Sequence, residues 1–298
     1  MYNALLIEWK ILDFFEKIRS PFMNILNYLL TTLLGGVSLI IIMFLVYWIF
    51  NKQVGKKVAA SLFLSMTINN LFKGLIMRKR PFEHEGKEYL RALSDSTLSD
   101  HATGSSFPSG HSQNSSSLYS SLFANYNGKR RSTVRVVLVA VILTVALTRL
   151  YLGVHFPTDV ISGVLLGILS VLIVEVLYKK FNNHFDLIWL VASTLSLTLV
   201  FLGLEKDGLK SVSIFFGAGL GNFLENRYVK FSDTKCIKEK LTRLTTGLLV
   251  VGGIYLIYSV VPNLIHNNMW FIMVCHFMIS FSGFYLVPLI FTKIKKQK

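Results

Sequence analysis

Charged side chains are scarce in this 298-residue chain: Asp, Glu, Lys and Arg make up 16% of it, where soluble domains carry about 25%. Cysteine is nearly absent. Cys236 falls in a basic loop and Cys275 inside an apolar run, so no structural disulfide is expected. Neither the cysteines nor the histidines show zinc-ligand spacing, and no metal or cofactor is expected. Acidic residues are few, 16 against 31 basic, for a formal charge of +15. Such an excess can mark a nucleic-acid binder, but basic residues flanking the cytoplasmic ends of membrane helices explain it better. No nucleic-acid partner is expected. A cleavable signal peptide has a basic end followed by an apolar core. Met1–Arg19 instead interleaves charged and apolar residues, and no such peptide is read there.

Long apolar runs are abundant: Val37–Phe50, Val136–Leu147, Val160–Leu177, Leu187–Leu204, Gly247–Val261 and Met269–Ile290. Runs near about twenty residues read as membrane-spanning helices. The expected fold is an all-α polytopic membrane bundle of about nine spans, near 23–50, 54–77, 110–127, 134–152, 157–178, 186–204, 209–226, 244–262 and 269–291. The third holds Ser112, Ser115, Ser116, Ser117, Ser120 and Ser121, a composition that suits close packing inside a bundle and not a lipid-facing surface. Gly217, Gly219 and Gly221 predict close helix contact in the seventh. Ahead of the first span, Leu5, Trp9, Leu12, Phe15 and Ile18 fall at helical spacing and predict an amphipathic helix lying in the membrane interface. Alternate loops and the tail carry 19 of the 31 Lys and Arg. By the positive-inside tendency the N-terminus then lies outside, the C-terminus inside and the hydrophilic loop Arg78–Phe107 outside.

Three patches on that outer side carry chemistry. In the first, Lys73 and Arg80 stand seven residues apart with Pro81 next, which predicts two cations on one helix face and a helix ending at the proline. A basic helix end snorkelling to the interface explains this patch equally well. Asn69 and Asn70, one turn earlier, either orient Lys73 or bond to a neighbouring helix. In the second, Phe107-Pro108-Ser109-Gly110-His111 precedes the Ser-rich helix. Glycine admits close approach of backbone N–H groups to an anion, and a helix start favours negative charge. Ser109 adds a hydroxyl, and His111 can give or take a proton. By itself an ordinary helix cap explains the patch. In the third, Arg149 precedes His155, with Pro157 opening the fifth span and Asp159 in its first turn. A carboxylate on one ring nitrogen of His155 leaves the other as a nucleophile, and Arg149 offers a forked donor to phosphate oxygens. An interfacial arginine and a capping aspartate are the plainer alternative.

Taken together, the patches match a phosphoryl group. The chain also resembles the type 2 phosphatidic acid phosphatase (PAP2) superfamily, whose pattern is K-x6-RP, then PSGH, then SR-x5-H-x3-D. Lys73 with Arg80-Pro81, Pro108–His111, and Arg149 with His155 and Asp159 fit it, with Thr148 in place of the serine. The resemblance covers about residues 65–165. It implies that Lys73, Arg80, Ser109, Gly110 and Arg149 bind phosphate, that His155, oriented by Asp159, attacks phosphorus, and that His111 serves as acid and then base, without metal. Residues 1–180 are read as the catalytic membrane module and 181–298 as additional transmembrane helices.

A phosphorylated lipid substrate, membrane lipids as surroundings, and a bacterial plasma membrane with an extracytoplasmic site are expected. A phosphatase of a small soluble ester is the alternative; nine spans with an outward start resemble the glucose-6-phosphatase and sphingosine-phosphate phosphatase branches in architecture, which does not fix the substrate. Vanadium haloperoxidases share the site type but are largely soluble. A channel or transporter would spread its charges through the spans. His84 and His101 are read as solvated loop residues, Glu175 as snorkelling or pairing with Lys179, and His276 as a neutral histidine bonded to a neighbouring helix.

Overall fold

The computed structural model describes residues 2–93, 102, 104–261 and 268–296; His101 lies outside them. Every described element is helical. In chain order they are α1 (Tyr2–Lys17), α2 (Pro21–Leu34), α3 (Val37–Leu45, continued by a π-helical turn Val46–Phe50), α4 (Lys52–Ile76), α5 (Gly110–Ala124), α6 (Arg131–Tyr151), α7 (Pro157–Lys180), α8 (Phe185–Ser196), α9 (Lys206–Leu224), α10 (Ile237–Val260), α11 (Met269–Phe281) and α12 (Val287–Lys296). Among the described residues seven helical stretches are long and apolar enough to cross a membrane. The chain is an integral membrane protein. The other two expected spans, the third and the seventh, correspond to α5 and α9, which do not meet that measure.

The chain forms two compact units, one from Met1–Ile41 with Leu71–Leu172, the other from Ile42–Asn70 with Ile173–Lys298. In the first unit, α5 is held by small residues. Ser112, Ser115, Ser116, Ser117 and Ser121 are all fully buried. A Cβ on Gly163 of α7 would lie 2.7 Å from the Ser109 carbonyl, and one on Gly167 would lie 2.9 Å from Ser116 Cβ. Glycine four residues apart on α7 thus admits α5 at backbone contact, and Ser116 Oγ donates to the Val164 carbonyl at 2.9 Å. The serine-rich face of α5 is thus buried inside protein.

Helix α1 departs from expectation. Its apolar stripe packs against the protein: Leu12, fully buried, clusters with Leu90 and Phe156 beside Trp9, and Phe15 packs against Tyr151, Leu152 and Val154. Its opposite face leaves Leu6, Ile7 and Phe14 exposed, and Ile18, expected on the stripe, is exposed just past the helix end; these residues are the surface available to an interface. The α1–α2 corner is stapled by Arg19, whose Nη2 donates to the carbonyls of Leu90 at 2.6 Å and Tyr151 at 2.9 Å. His84 is a half-buried loop residue whose ring stands edge-on to Trp9 at 5.3 Å and to Phe156 at 5.9 Å.

In the second unit the glycines of α9 allow close packing as expected. A Cβ on Gly217 would meet the Phe277 carbonyl of α11 at 2.5 Å, and one on Gly221 the Phe281 carbonyl at 3.1 Å. Buried ion pairs tie its helices, Lys52 to Glu225 at 2.6 Å and Lys56 to Asp186 at 2.8 Å. Three expectations are settled here. Glu175 pairs with Lys57 at 3.2 Å. His276 bonds through Nδ1 to the Ile272 carbonyl of its own helix at 2.8 Å, not to a neighbour. Asn70 makes the interhelical bond, donating to Ser211 Oγ at 2.7 Å.

Candidate active site

The first patch folds differently from the two-turn helix its spacing predicted. Helix α4 ends at Ile76, and Met77 adopts a left-handed φ of 45°. Arg80 therefore leaves the helix and sits in extended backbone ahead of Pro81. Its guanidinium is buried and tightly held: Nε donates to the Gly104 carbonyl at 3.0 Å and Nη1 to the Val154 carbonyl at 2.9 Å. Nη1 also stands 3.3 Å from Nε2 of His155. A guanidinium can only donate, so Nε2 presents its lone pair and the imidazole proton belongs on Nδ1.

Nδ1 faces Ser106 Oγ at 3.4 Å and Asp159 Oδ2 at 3.6 Å. Both separations exceed an ordinary hydrogen-bond length, and the three atoms form a triangle closed by the Ser106 hydroxyl, which donates to Asp159 Oδ2 at 2.6 Å. Asp159 is fully buried, a placement that costs several kcal/mol for an isolated charge. It is compensated on both oxygens. Oδ2 also accepts the Phe156 amide at 2.8 Å, and Oδ1 accepts Arg78 Nη1 at 2.8 Å. The amide contact follows from sequence position: Asp159 is the third residue of α7 and reaches back to the residue before Pro157, one half of a capping box.

The loop that carries His155 depends on Gly153. Its φ is 69°, and a Cβ there would collide with the Leu90 carbonyl, so a larger residue is excluded by both conformation and space. His155 itself is buried, and its pKa is pushed well below the usual 6.5, first by burial and then by the positive charges of Arg80, Arg149 and Lys73. A hydrogen bond to the Ser106 backbone opposes that shift. The imidazole is neutral near pH 7, the form that can act as a nucleophile.

Lys73 lies in the last turn of α4 and Arg149 in the last turn of α6. Arg149 is fully buried and donates from Nη1 to Thr31 Oγ1 of α2 at 3.1 Å. The second patch opens α5. Ser109 is its N-cap, with Oγ 3.5 Å from the Ser112 amide and 3.0 Å from Ser112 Oγ, and Gly110 is its first residue. The Ser109 amide donates to the Asp159 carbonyl at 3.0 Å, which joins the start of α5 to the start of α7. His111, in the first turn of α5, lies under the α2–α3 junction, where a Cβ on Gly35 would come within 3.1 Å of its ring.

The structure thus gathers Lys73, Arg80, Arg149 and Asp159 around His155 and sets Ser109 and Gly110 at the adjoining helix start. Ser106, Thr31, Arg78, Thr158 and Glu8 escaped the sequence reading. Ser106 and Arg78 had a local signal, since each lies a few residues from a motif position. Glu8 had a subtler one: an acid beside the buried stripe of an amphipathic helix.

Residues 55–183 match the PAP2 superfamily, and residues 209–298 match the transmembrane extension of PAP2 superfamily phosphatases. The chain is 30% identical to the lipid A 4'-phosphatase of Bacteroides thetaiotaomicron over 170 residues, 54% of this chain and 72% of that protein. The chain belongs to the PAP2 superfamily. It is also 30% identical to the lipid A 1-phosphatase of Rhizobium etli over 163 residues, 52% of this chain and 62% of that protein. Identity to the phosphatidylglycerophosphatase B of Bacillus subtilis is 33% over 89 residues, 28% of this chain and 44% of that protein. The matched regions thus span less than two thirds of the length of each of these two relatives. No solved structure matches. The one departure from the PAP2 pattern is benign by its geometry: Thr148 Oγ1 donates to the Val145 carbonyl of its own helix at 2.6 Å, a bond that serine makes equally well.

Proposed function

We propose that this PAP2 protein is a phosphatase of phosphorylated membrane lipids that works through a phosphohistidine on His155. The observation that carries the reading is the pairing of His155 Nε2 with a donor-only guanidinium 3.3 Å away while Nδ1 faces Ser106 and Asp159. A phosphoryl oxygen takes the place of that nitrogen as the partner of Arg80, and the freed lone pair attacks phosphorus. The bond from phosphorus to the leaving oxygen breaks as His111 donates its proton to that oxygen. Water then attacks the phosphohistidine, His111 takes the proton, and inorganic phosphate leaves with Nε2 unprotonated again. Lys73, Arg80 and Arg149, with the amides at the start of α5 behind Ser109 and Gly110, balance charge on the transferring oxygens.

A lipid substrate is supported by the exposed apolar residues Leu6, Ile7 and Phe14 of α1, a helix whose buried face packs on Leu90 and on Phe156, the neighbour of His155. The names of the relatives specify lipid A and a phosphatidylglycerophosphate. A lipid phosphate or diphosphate is the substrate class, within a catalytic module of residues 1–180 followed by the helices of 181–298. The site faces the extracytoplasmic side of a bacterial plasma membrane, as the distribution of Lys and Arg supports. The test is phosphate release by the purified full chain from lipid A, phosphatidylglycerophosphate, phosphatidate, undecaprenyl diphosphate and a sphingoid phosphate, beside glucose 6-phosphate. At least one lipid is expected to exceed the sugar phosphate in kcat/KM. The reverse order would establish the soluble-ester reading instead.

A further inference from the structure

We propose that Glu8, acting through Arg78, is a positioning residue for the His155 nucleophile, which makes the surface helix α1 a working part of the active site. The inference rests on the phosphohistidine reading above.

Arg78 is one of the four basic residues of the segment Lys73–Arg80, both ends included, and its charge alone would suit phosphate. Its surroundings assign it elsewhere. Nη1 donates to Asp159 Oδ1 at 2.8 Å and to Thr158 Oγ1 at 2.7 Å, and Nη2 donates to Glu8 Oε2 at 2.7 Å. Its guanidinium carbon lies 4.0 Å over the Phe156 ring. Two carboxylates and an aromatic face thus fix the guanidinium on three sides. The second Glu8 oxygen holds the start of α7 directly: Oε1 accepts the Thr158 amide at 3.1 Å and also the Thr158 hydroxyl. That amide is one of the helix-start donors that have no partner within their own helix, and a carboxylate there is favoured by the helix dipole.

The carboxylate of α1 therefore grips both the cation that orients Asp159 and the helix turn from which Asp159 projects. Asp159 in turn bonds Ser106 and stands beside His155 Nδ1. Without Glu8, Arg78 keeps its charge but loses the partner that pulls it away from the phosphate side. Asp159 then loses its fixed direction. Glu8 is itself buried at 6% exposure, so water does not substitute readily for its bonds.

The test uses the full chain in detergent, with Glu8→Ala, Glu8→Gln, Arg78→Lys, Asp159→Asn and the double variant Glu8→Ala/Asp159→Asn. Glu8→Ala is expected to slow phosphoprotein formation at saturating substrate by about tenfold, with KM nearly unchanged. Glu8→Gln, which retains an acceptor, should recover part of that loss. In the Asp159→Asn background, removing Glu8 should add almost nothing, because both act on one path. Nitrogen-15 NMR of histidine should show His155 with its proton on Nδ1 in the native chain and a mixture of tautomers in Glu8→Ala. Equal slowing by Glu8→Ala with and without Asp159, or an unchanged His155 signal, overturns the proposal. So does a loss confined to the yield or melting temperature of the protein. If Glu8→Ala does not fold, Glu8→Gln and Arg78→Lys carry the same comparisons. A native chain that traps no phosphoprotein overturns the phosphohistidine reading alone, and the NMR comparison still decides the role of Glu8.

Discussion

Arg80 Nη1 lies 3.3 Å from Nε2 of His155, and this contact sets the chemistry of the ring. The nitrogen that meets a guanidinium must carry the lone pair, so the opposite nitrogen carries the proton. A basic residue expected to bind phosphate thereby also selects the ring tautomer with its lone pair on Nε2.

The two histidines should separate by function. His155 has Ser106 and Asp159 beside Nδ1, while His111 stands in the first turn of α5. His155→Ala should abolish a base-stable, acid-labile phosphoprotein trapped by alkaline quench. His111→Ala should still form it from a substrate with a good leaving group, such as a nitrophenyl phosphate, and should slow turnover of an alkyl phosphate by roughly two to four orders of magnitude. Phosphoprotein in His155→Ala but not in His111→Ala would reverse the assignment.

The depressed pKa of His155 predicts a particular pH dependence of stability. The folded-state value lies well below the ordinary 6.5, so at any pH between the two the unfolded chain binds more protons. Stability is then fully present above about pH 6.5 and falls as pH drops toward the folded value, with a slope approaching about 1.4 kcal/mol per pH unit. His155→Gln removes this titration. Melting temperatures of the native chain and the variant, measured in one detergent from pH 7.5 to 5, should diverge on acidification, the native chain losing more. Parallel curves would contradict the burial and charge argument.

Turnover should not require a divalent metal. Lys73, Arg80 and Arg149 place three positive charges by His155, which is the charge a phosphoryl group needs. Phosphate release should persist in excess EDTA, and vanadate, a mimic of five-coordinate phosphorus, should inhibit it. Complete loss in EDTA with recovery on adding Mg²⁺ would show that the positive charge of the side chains is insufficient.

Orientation can be read by thiol labelling in intact cells after Cys236 and Cys275 are replaced. Glu85 and Arg130 are both exposed. A cysteine at Glu85, on the loop that leads to the site, should react with a membrane-impermeant reagent, and one at Arg130 should not. The opposite pattern places the site on the cytoplasmic face.

Much of this molecule was legible without its structure, for reasons that are local. Apolar runs of membrane length, a serine-rich helix too polar for lipid, and glycines spaced for close helix contact each state their environment in composition alone. The motif positions stand out in the sequence as candidates because phosphoryl chemistry restricts the residue types that can serve it. Tertiary structure decided the rest. The Lys73–Arg80 spacing read as one helix face, yet the chain turns at Met77 and brings both residues to His155 from separate backbone conformations. Asp159 lies one turn after His155 in sequence, yet its carboxylate stops 3.6 Å from Nδ1 and takes its short hydrogen bond from Ser106, a residue about fifty positions earlier. Glu8 lies far from every motif in sequence and reaches Arg78 and Thr158 because α1 folds back over their loops. A hydrogen bond is satisfied by whichever donor the fold delivers within about 3 Å, and sequence separation carries no information about that delivery.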